Sequence, residues 1–254
     1  MHQNKNSEQK MYDRLWKCGD VQSPAIWSLW EITKNFKGKR NLELGAGNCP
    51  RIPVEGGYFL DTSAEAVKNL EKLKGKSVIG NAETLPFENN FFDLVAAFEV
   101  LEHIENDKKA FSEIARVLKP GGFLIFSVPL RQEIFNEFDR IAGHKRRYEI
   151  TELEKLLPEN NFRILKYRAP GYYIKLLNKL RNFSLVTKIV RKGGVKNSLE
   201  ALALPGFIFN LHFRLLSFLE RKGAPKWQTD PKDLSEYKEK WIVVICQKQT
   251  KTAR

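Results

Sequence analysis

Asn41-Leu42-Glu43-Leu44-Gly45-Ala46-Gly47-Asn48 reads as a short apolar strand running into a G-x-G turn, with an acid two positions before the first glycine. A strand-to-helix turn that lets a ligand approach its backbone needs such glycines. The pair is weak evidence alone, because any tight turn favours glycine. The order of the downstream segments gives it weight. Tyr58-Phe59-Leu60-Asp61 is a second short strand ending in a carboxylate. Asn81-Ala82-Glu83-Thr84-Leu85-Pro86-Phe87 comes after a third strand, Ser77 to Gly80. Phe92-Asp93-Leu94-Val95-Ala96-Ala97-Phe98-Glu99 carries a fourth, from Asp93 to Phe98, and Leu118-Lys119-Pro120-Gly121-Gly122 ends a helix before a fifth, Phe123 to Val128.

Helical patterns fill the intervals. Thr62-x-x-Glu65 reads as a capping box opening a helix through Leu73, and Thr151-x-x-Glu154 as a second one, opening a helix through Leu157. Between them, Asn106 or Asp107 can cap a helix with Ala110, Phe111, Ile114, Val117 and Leu118 on one face. Phe162 to Tyr167 is a sixth strand, and Trp241-Ile242-Val243-Val244-Ile245-Cys246 a buried last one. Strands alternating with helices predict a parallel sheet covered on both faces. Strand one itself starts at Arg40. Only thirteen residues, Gly45 to Gly57, separate it from strand two, and they include Pro50 and Pro53. One short turn is expected there rather than a full helix, which limits any helix-dipole help to an anionic group.

In this order and spacing the chain resembles the class I S-adenosylmethionine (SAM)-dependent methyltransferases, in particular the small-molecule "type 11"-like domain, from Asn41 to Phe162 and again at the final strand. The resemblance implies an α/β, three-layer Rossmann-like fold. Its sheet has seven mostly parallel strands, with the last antiparallel and inserted beside strand five. It implies SAM as cofactor, S-adenosylhomocysteine as product, and no metal. Asp61, with Thr62 beside it, then takes the ribose hydroxyls, a bidentate task that suits a carboxylate. Gly45, Ala46 and Gly47 lie against the methionine portion, and Glu43 organises that loop. Asn81, Ala82 and Glu83 occupy the family's Asp-Ala-x position, where the neutral Asn81 amide accepts from adenine more weakly than a carboxylate would. Phe98 and Glu99 line the cavity near the sulfonium. Taken singly, each of these residues is equally an ordinary strand-end or turn residue. A dinucleotide fingerprint fits less well, since Pro50 replaces its third glycine and Asp61 comes only sixteen positions after Gly45. No G-x-x-x-x-G-K is present.

Methyl transfer needs a base only if the acceptor is protonated. The candidates are His103, in Val100-Leu101-Glu102-His103-Ile104, and His144, in Gly143-His144-Lys145-Arg146-Arg147-Tyr148. The apolar neighbours of His103 favour a structural role. Gly-His-x-Arg-x-Tyr resembles a stretch of many small-molecule members of the family, which makes Arg146 and Tyr148 acceptor-site candidates; a solvated charge run is the competing reading. Trp16 and Trp27 belong to one or two helices expected over the sheet's C-terminal edge, facing either the core or the acceptor. Pro24 after Ser23 marks a helix start there.

The 254 residues, 42% of them apolar, can bury a sizeable core. Cys18, Cys49 and Cys246 form neither a disulfide framework nor a zinc motif, which fits a reducing cytoplasm. The polar first ten residues read as a mobile tail and not as a signal peptide. No run of eighteen apolar residues exists. The net charge of +13 is uneven: residues 168–226 hold twelve Lys/Arg against Glu200 and Glu220, or +10, leaving +3 elsewhere. This segment reads as a basic amphipathic helical insertion between strands six and seven. The expected division is therefore 1–37 as tail and cap helices, 38–167 with 227–254 as the core, and 168–226 as the insertion. Such an insertion can rest on an anionic membrane or merely cap the core.

The leading expectation is a methyltransferase acting on a small-molecule or lipid-like acceptor, cytoplasmic and in peripheral membrane contact through 168–226. Two alternatives remain. Net charge admits a nucleic-acid (RNA) methyltransferase, but no N-P-P-Y-like tetrapeptide stands after strand four. A non-catalytic SAM-fold binding protein is the other.

Overall fold

The computed structural model describes residues 2–17, 20–169, 225–229, 234 and 236–250. Seven strands form one sheet: β1 (Asn41–Leu44), β2 (Tyr58–Asp61), β3 (Lys76–Ile79), β4 (Phe92–Phe98), β5 (Leu118–Pro129), β6 (Phe162–Arg168) and β7 (Trp241–Lys248). Their spatial order is β3-β2-β1-β4-β5-β7-β6. The first five are parallel, and β7 lies antiparallel between β5 and β6. This is the three-layer mixed sheet that the resemblance implies.

The period-two alternation of β4 shows how the layers form. Leu94, Ala96 and Phe98 face one core with Ile125, Val243, Ile245, Leu29 and Leu70. Val95 and Ala97 face the other, with Phe126, Val244, Phe111, Ile114 and Leu153. Both faces are apolar, as a central parallel strand requires. Helix α1 (His2–Lys17), α2 (Trp30–Thr33) and α3 (Ala64–Glu71) belong to the first half of the chain; α4 (Asp107–Val117), α5 (Glu137–Ala142) and α6 (Ile150–Glu159) come after β4.

Several local expectations are corrected. The first residues are not a tail: His2–Lys17 is a helix. Its Asp13 accepts hydrogen bonds from the Ser63 hydroxyl at 2.6 Å and the Glu65 backbone N–H at 3.4 Å, so a polar sequence is ordered by tertiary capping. The cap of α3 is Ser63, whose hydroxyl accepts from the Ala66 N–H, and not Thr62. The box opening α6 is Glu149 with Glu152, and not Thr151 with Glu154. Asn106 caps α4, and Ser23 caps a short 3-10 turn at Pro24–Ile26, both in agreement with the sequence. Strand β5 begins five residues before Phe123. Leu118 already pairs with Phe92, then the ladder shifts around Gly121, whose φ of 77° absorbs the bulge, and resumes at Leu94 with Phe123. No helix forms between Gly45 and Gly57. The expected insertion, 168–226, lies almost wholly outside the described residues.

Candidate active site

The strand order reverses between β1 and β4, and ligands of open α/β sheets bind outside the strand C-termini at such a switch. The glycine turn sits there. Gly45 and Gly47 have φ of 61° and 52°, conformations that L side chains rarely adopt. A Cβ on Gly45 would lie 2.5 Å from a Val100 methyl, and one on Gly47 2.4 Å from the Trp16 ring. Both positions therefore require glycine on two counts.

Two buried carboxylates shape this turn. One oxygen of Asp61 accepts the Gly47 N–H at 3.0 Å and the other accepts the Ser63 N–H at 2.9 Å. Burial raises the Asp61 pKa, against those N–H bonds. Glu43 Oε2 accepts the N–H groups of Arg51 and Ile52 at 2.8 and 3.1 Å, folding the segment after Gly47 back beneath the turn. Burial pushes Glu43 up to about 7, opposed by the Arg51 charge and those bonds. Thr62 is exposed beside Asp61, while Ala46 is buried in the core.

Helix α1 closes one side of this corner. Asn48 and Asn69 both donate to the Trp16 carbonyl, at 2.8 and 3.1 Å. Trp16 therefore packs on the glycine turn. Trp27 is 4% exposed, with the Arg51 guanidinium 4.6 Å over its ring; the same guanidinium lies 5.0 Å over buried Phe98. Trp27 is thus buried across the Arg51 guanidinium from Phe98. After β3, the Asn81 amide oxygen accepts the Glu83 N–H at 2.9 Å and Glu83 accepts the Asn106 N–H at 3.3 Å, with Ala82 buried. These residues hold a turn at the same end of the sheet.

A second cluster stands after β4. Glu99 has a φ of 55°, an uncommon conformation for a non-glycine residue, and its carboxylate accepts the Ser127 hydroxyl from the end of β5. Burial lifts it to about 7, against Ser127, Arg51 and Arg147. Glu102 is fully buried, and neither of its oxygens reaches a hydrogen-bond partner in another residue. Burial, the Glu99 charge and the Asp139 charge hold it well above the usual carboxylate range. His103 and His144 meet edge to face with ring centroids 4.8 Å apart. Burial and the neighbouring His144 push His103 down to about 3, so it is neutral and a weak base at ordinary pH. His144 Nδ1 lies 3.0 Å from Asp139 Oδ1. That same oxygen accepts from Arg147 Nη2 at 2.7 Å. Burial works to raise Asp139, but the bonds from His144, Arg147 and the Asn136 N–H prevail and hold it well below the usual range.

The two remaining acceptor candidates are tied into the framework. Tyr148 is 2% exposed, and its hydroxyl donates to Asp107 Oδ2 at 2.9 Å. Arg146 donates to Asp107 Oδ1 at 2.7 Å and to the carbonyls of Ile104 and Glu105 at 3.2 and 2.7 Å. Their hydrogen bonds clamp the 143–148 loop to the start of α4. Sequence reading missed Glu102, Asp139 and Arg147. The signal for Glu102 was a Glu99-x-x-Glu102-His103 run ending a strand; Asp139 had none beyond standing five residues before His144.

Residues 43–126 match the family model described as a methyltransferase domain. An uncharacterised protein of Methanocaldococcus jannaschii is 44% identical over 118 residues, covering 42% of this chain and 52% of its own length. A ubiquinone/menaquinone biosynthesis C-methyltransferase of Yersinia pestis is 38% identical over 150 residues, covering 52% of this chain and 56% of its own length. The chain thus spans about half the length of the curated relatives it matches. A solved SAM-dependent methyltransferase of Thermotoga maritima, described as a possible histamine N-methyltransferase, superposes with a TM-score of 0.54 at 16% identity. That superposition covers 96% of this chain and 95% of that one, and it bears on the fold alone.

Proposed function

We propose that the chain carries a class I SAM-dependent methyltransferase domain and that it transfers the methyl group of SAM to a small-molecule or lipid-like acceptor. The observation that carries this reading is the Asp61–Gly47 bond at the sheet's switch point. It brings a buried carboxylate against a turn that admits no side chain. A carboxylate offers about four acceptor positions, and the Gly47, Ser63 and Thr62 N–H groups take three at Asp61, which leaves one for a ribose hydroxyl. The residues fit the cofactor in this respect. When bound, SAM supplies an electrophilic methyl on a sulfonium whose leaving group is neutral.

The chain's own contribution is then placement. Glu43 keeps the turn rigid through Arg51 and Ile52. Asn81, Ala82 and Glu83 border the adenine side, with the Asn81 oxygen already engaged once. Phe98 and Glu99 border the reacting side, where the Glu99, Glu102, His103 and His144 cluster supplies the polar groups for handling an acceptor. The names of the relatives favour an acceptor from quinone biosynthesis, and the apolar, basic stretch 168–226 fits a lipid-like one. Lipid-like acceptors also agree with a peripheral membrane position for that stretch.

Calorimetric titration with SAM, and with NAD as control, tests this directly. Asp61→Ala should weaken SAM binding by at least about tenfold, since the charge-assisted bond to the ribose is lost and the glycine turn loses its anchor. Unchanged affinity would remove Asp61 from the ribose, and no SAM binding by the wild type would return the chain to the scaffold reading.

A further inference from the structure

We infer that Glu102, His103 and His144 form a binding site for a divalent transition-metal ion of the Mn2+ or Zn2+ class, on the acceptor side of the sheet. One ligand atom from each residue can be chosen so that all three lie within 4.8 Å of one another, the only such group among the described residues. Bonds of about 2.0–2.2 Å would draw them closer still. Two imidazoles with a carboxylate suit borderline transition metals better than calcium or magnesium, which favour all-oxygen sites.

The independent observation is Glu102. A fully buried carboxylate with neither oxygen bonded to another residue is costly unless something neutralises and coordinates it. Its surroundings make the demand stronger. Glu99 and Asp139 add negative charge, opposed by the Glu102 backbone N–H and by Arg147. Arg147 bonds Asp139 at 2.7 Å and the Leu130 carbonyl at 3.4 Å, and neither Glu102 oxygen receives a bond from it. A bound cation would supply the missing partner.

The surrounding residues hold both imidazoles as a metal site does. Metal-bound histidines donate their second ring nitrogen to a carboxylate or backbone carbonyl, which fixes the ring and its tautomer. His144 Nδ1 is paired with Asp139, leaving Nε2 for an ion. The His103 ring hydrogen-bonds the backbone of Gly143. Asp139 is in turn fixed by Arg147 and by the Asn136 N–H at 2.9 Å. Asp139 is therefore a positioning residue, and on this assignment His144 is a ligand rather than a general base.

Cation binding is measured on the full chain without SAM, so its failure and that of the methyltransferase reading are separable. Protein stripped with chelator is dialysed against Mn2+ or Zn2+, and bound metal is counted. One ion per chain is expected, bound at least about tenfold more weakly by Asp139→Asn, in line with losses on removing such partners. Glu102→Gln should lose the ion, so that its thermal midpoint is the same in chelator and in Zn2+ while the wild-type midpoint rises with the metal. Should that variant fail to fold, histidine NMR of the wild type decides. Mn2+ should broaden His103 and His144. Absence of bound ion, equal binding by Asp139→Asn, or His103 and His144 signals left sharp by Mn2+ would overturn the site.

Discussion

At the residue scale, the corner under the glycine turn depends on the protonation of Glu43. Its folded pKa of about 7 lies above the ordinary 4.5 because burial outweighs the Arg51 charge and two N–H bonds. Between those values the folded chain holds a proton that the unfolded chain has lost. Stability from this group is therefore full below about 4.5, falls as pH rises to about 7, and is flat above, a loss on the order of 3 kcal/mol. Urea unfolding of wild type and Glu43→Gln at pH 5 and pH 8 should show a shallower decline in the variant. An identical decline would mean that other buried carboxylates carry it. Glu43 is also a residue whose task is legible in the sequence: an acid two positions before a G-x-G, organising the loop. How it does so, by gripping Arg51 and Ile52 through one oxygen, required the chain to turn back without a helix.

At the scale of elements, α4 shows which interaction dominates. Phe111 is fully buried and meets Phe126 of β5 edge to face at 5.7 Å. On the same helix, Arg116 and Glu113 form a partly exposed ion pair at 2.7 Å. Phe111→Ala should cost about 3–5 kcal/mol by leaving a cavity between helix and sheet. The ion pair in isolation is worth about 0–1 kcal/mol. Chemical denaturation of Phe111→Ala measures this, and a loss below about 1 kcal/mol would mean that the site collapses around the missing ring. The apolar face of α4 was readable from spacing alone, as was Asn106 at its cap. The caps of α3 and α6 were not. Thr62 and Thr151 satisfy the local pattern equally well, and the choice fell to Ser63 and Glu149 by the way each helix docks.

At the scale of the whole molecule, the charge asymmetry sets the next question. Residues 168–226 carry +10 of the net +13, yet interrupt the chain between two strands that pair side by side, β6 with β7. The core thus closes across this stretch. A chain lacking 172–222 should keep its SAM affinity and lose its binding to anionic vesicles, as sedimentation with phosphatidylglycerol vesicles would show. Equal vesicle binding by the shortened chain would refute the membrane role. No described helix is long and apolar enough to cross a membrane.

The sequence by itself determined the sheet. Alternating apolar strands, a G-x-G turn and a strand-end carboxylate are local patterns that specify the elements and their order along the chain, while the antiparallel last strand beside β5 was implied by the family resemblance and by no local pattern. Tertiary structure decided what each polar residue does. Arg146 and Tyr148 read in sequence as acceptor-site candidates, and folding aims both at Asp107. Glu102 reads as one more helix-flanking acid, and folding buries it without a partner in another residue, beside two histidines from segments far apart in the chain. Periodicity reports which face a residue occupies. Only the closing of distant loops over one another determines whether its charge is paired, and that pairing is where the chemistry is set.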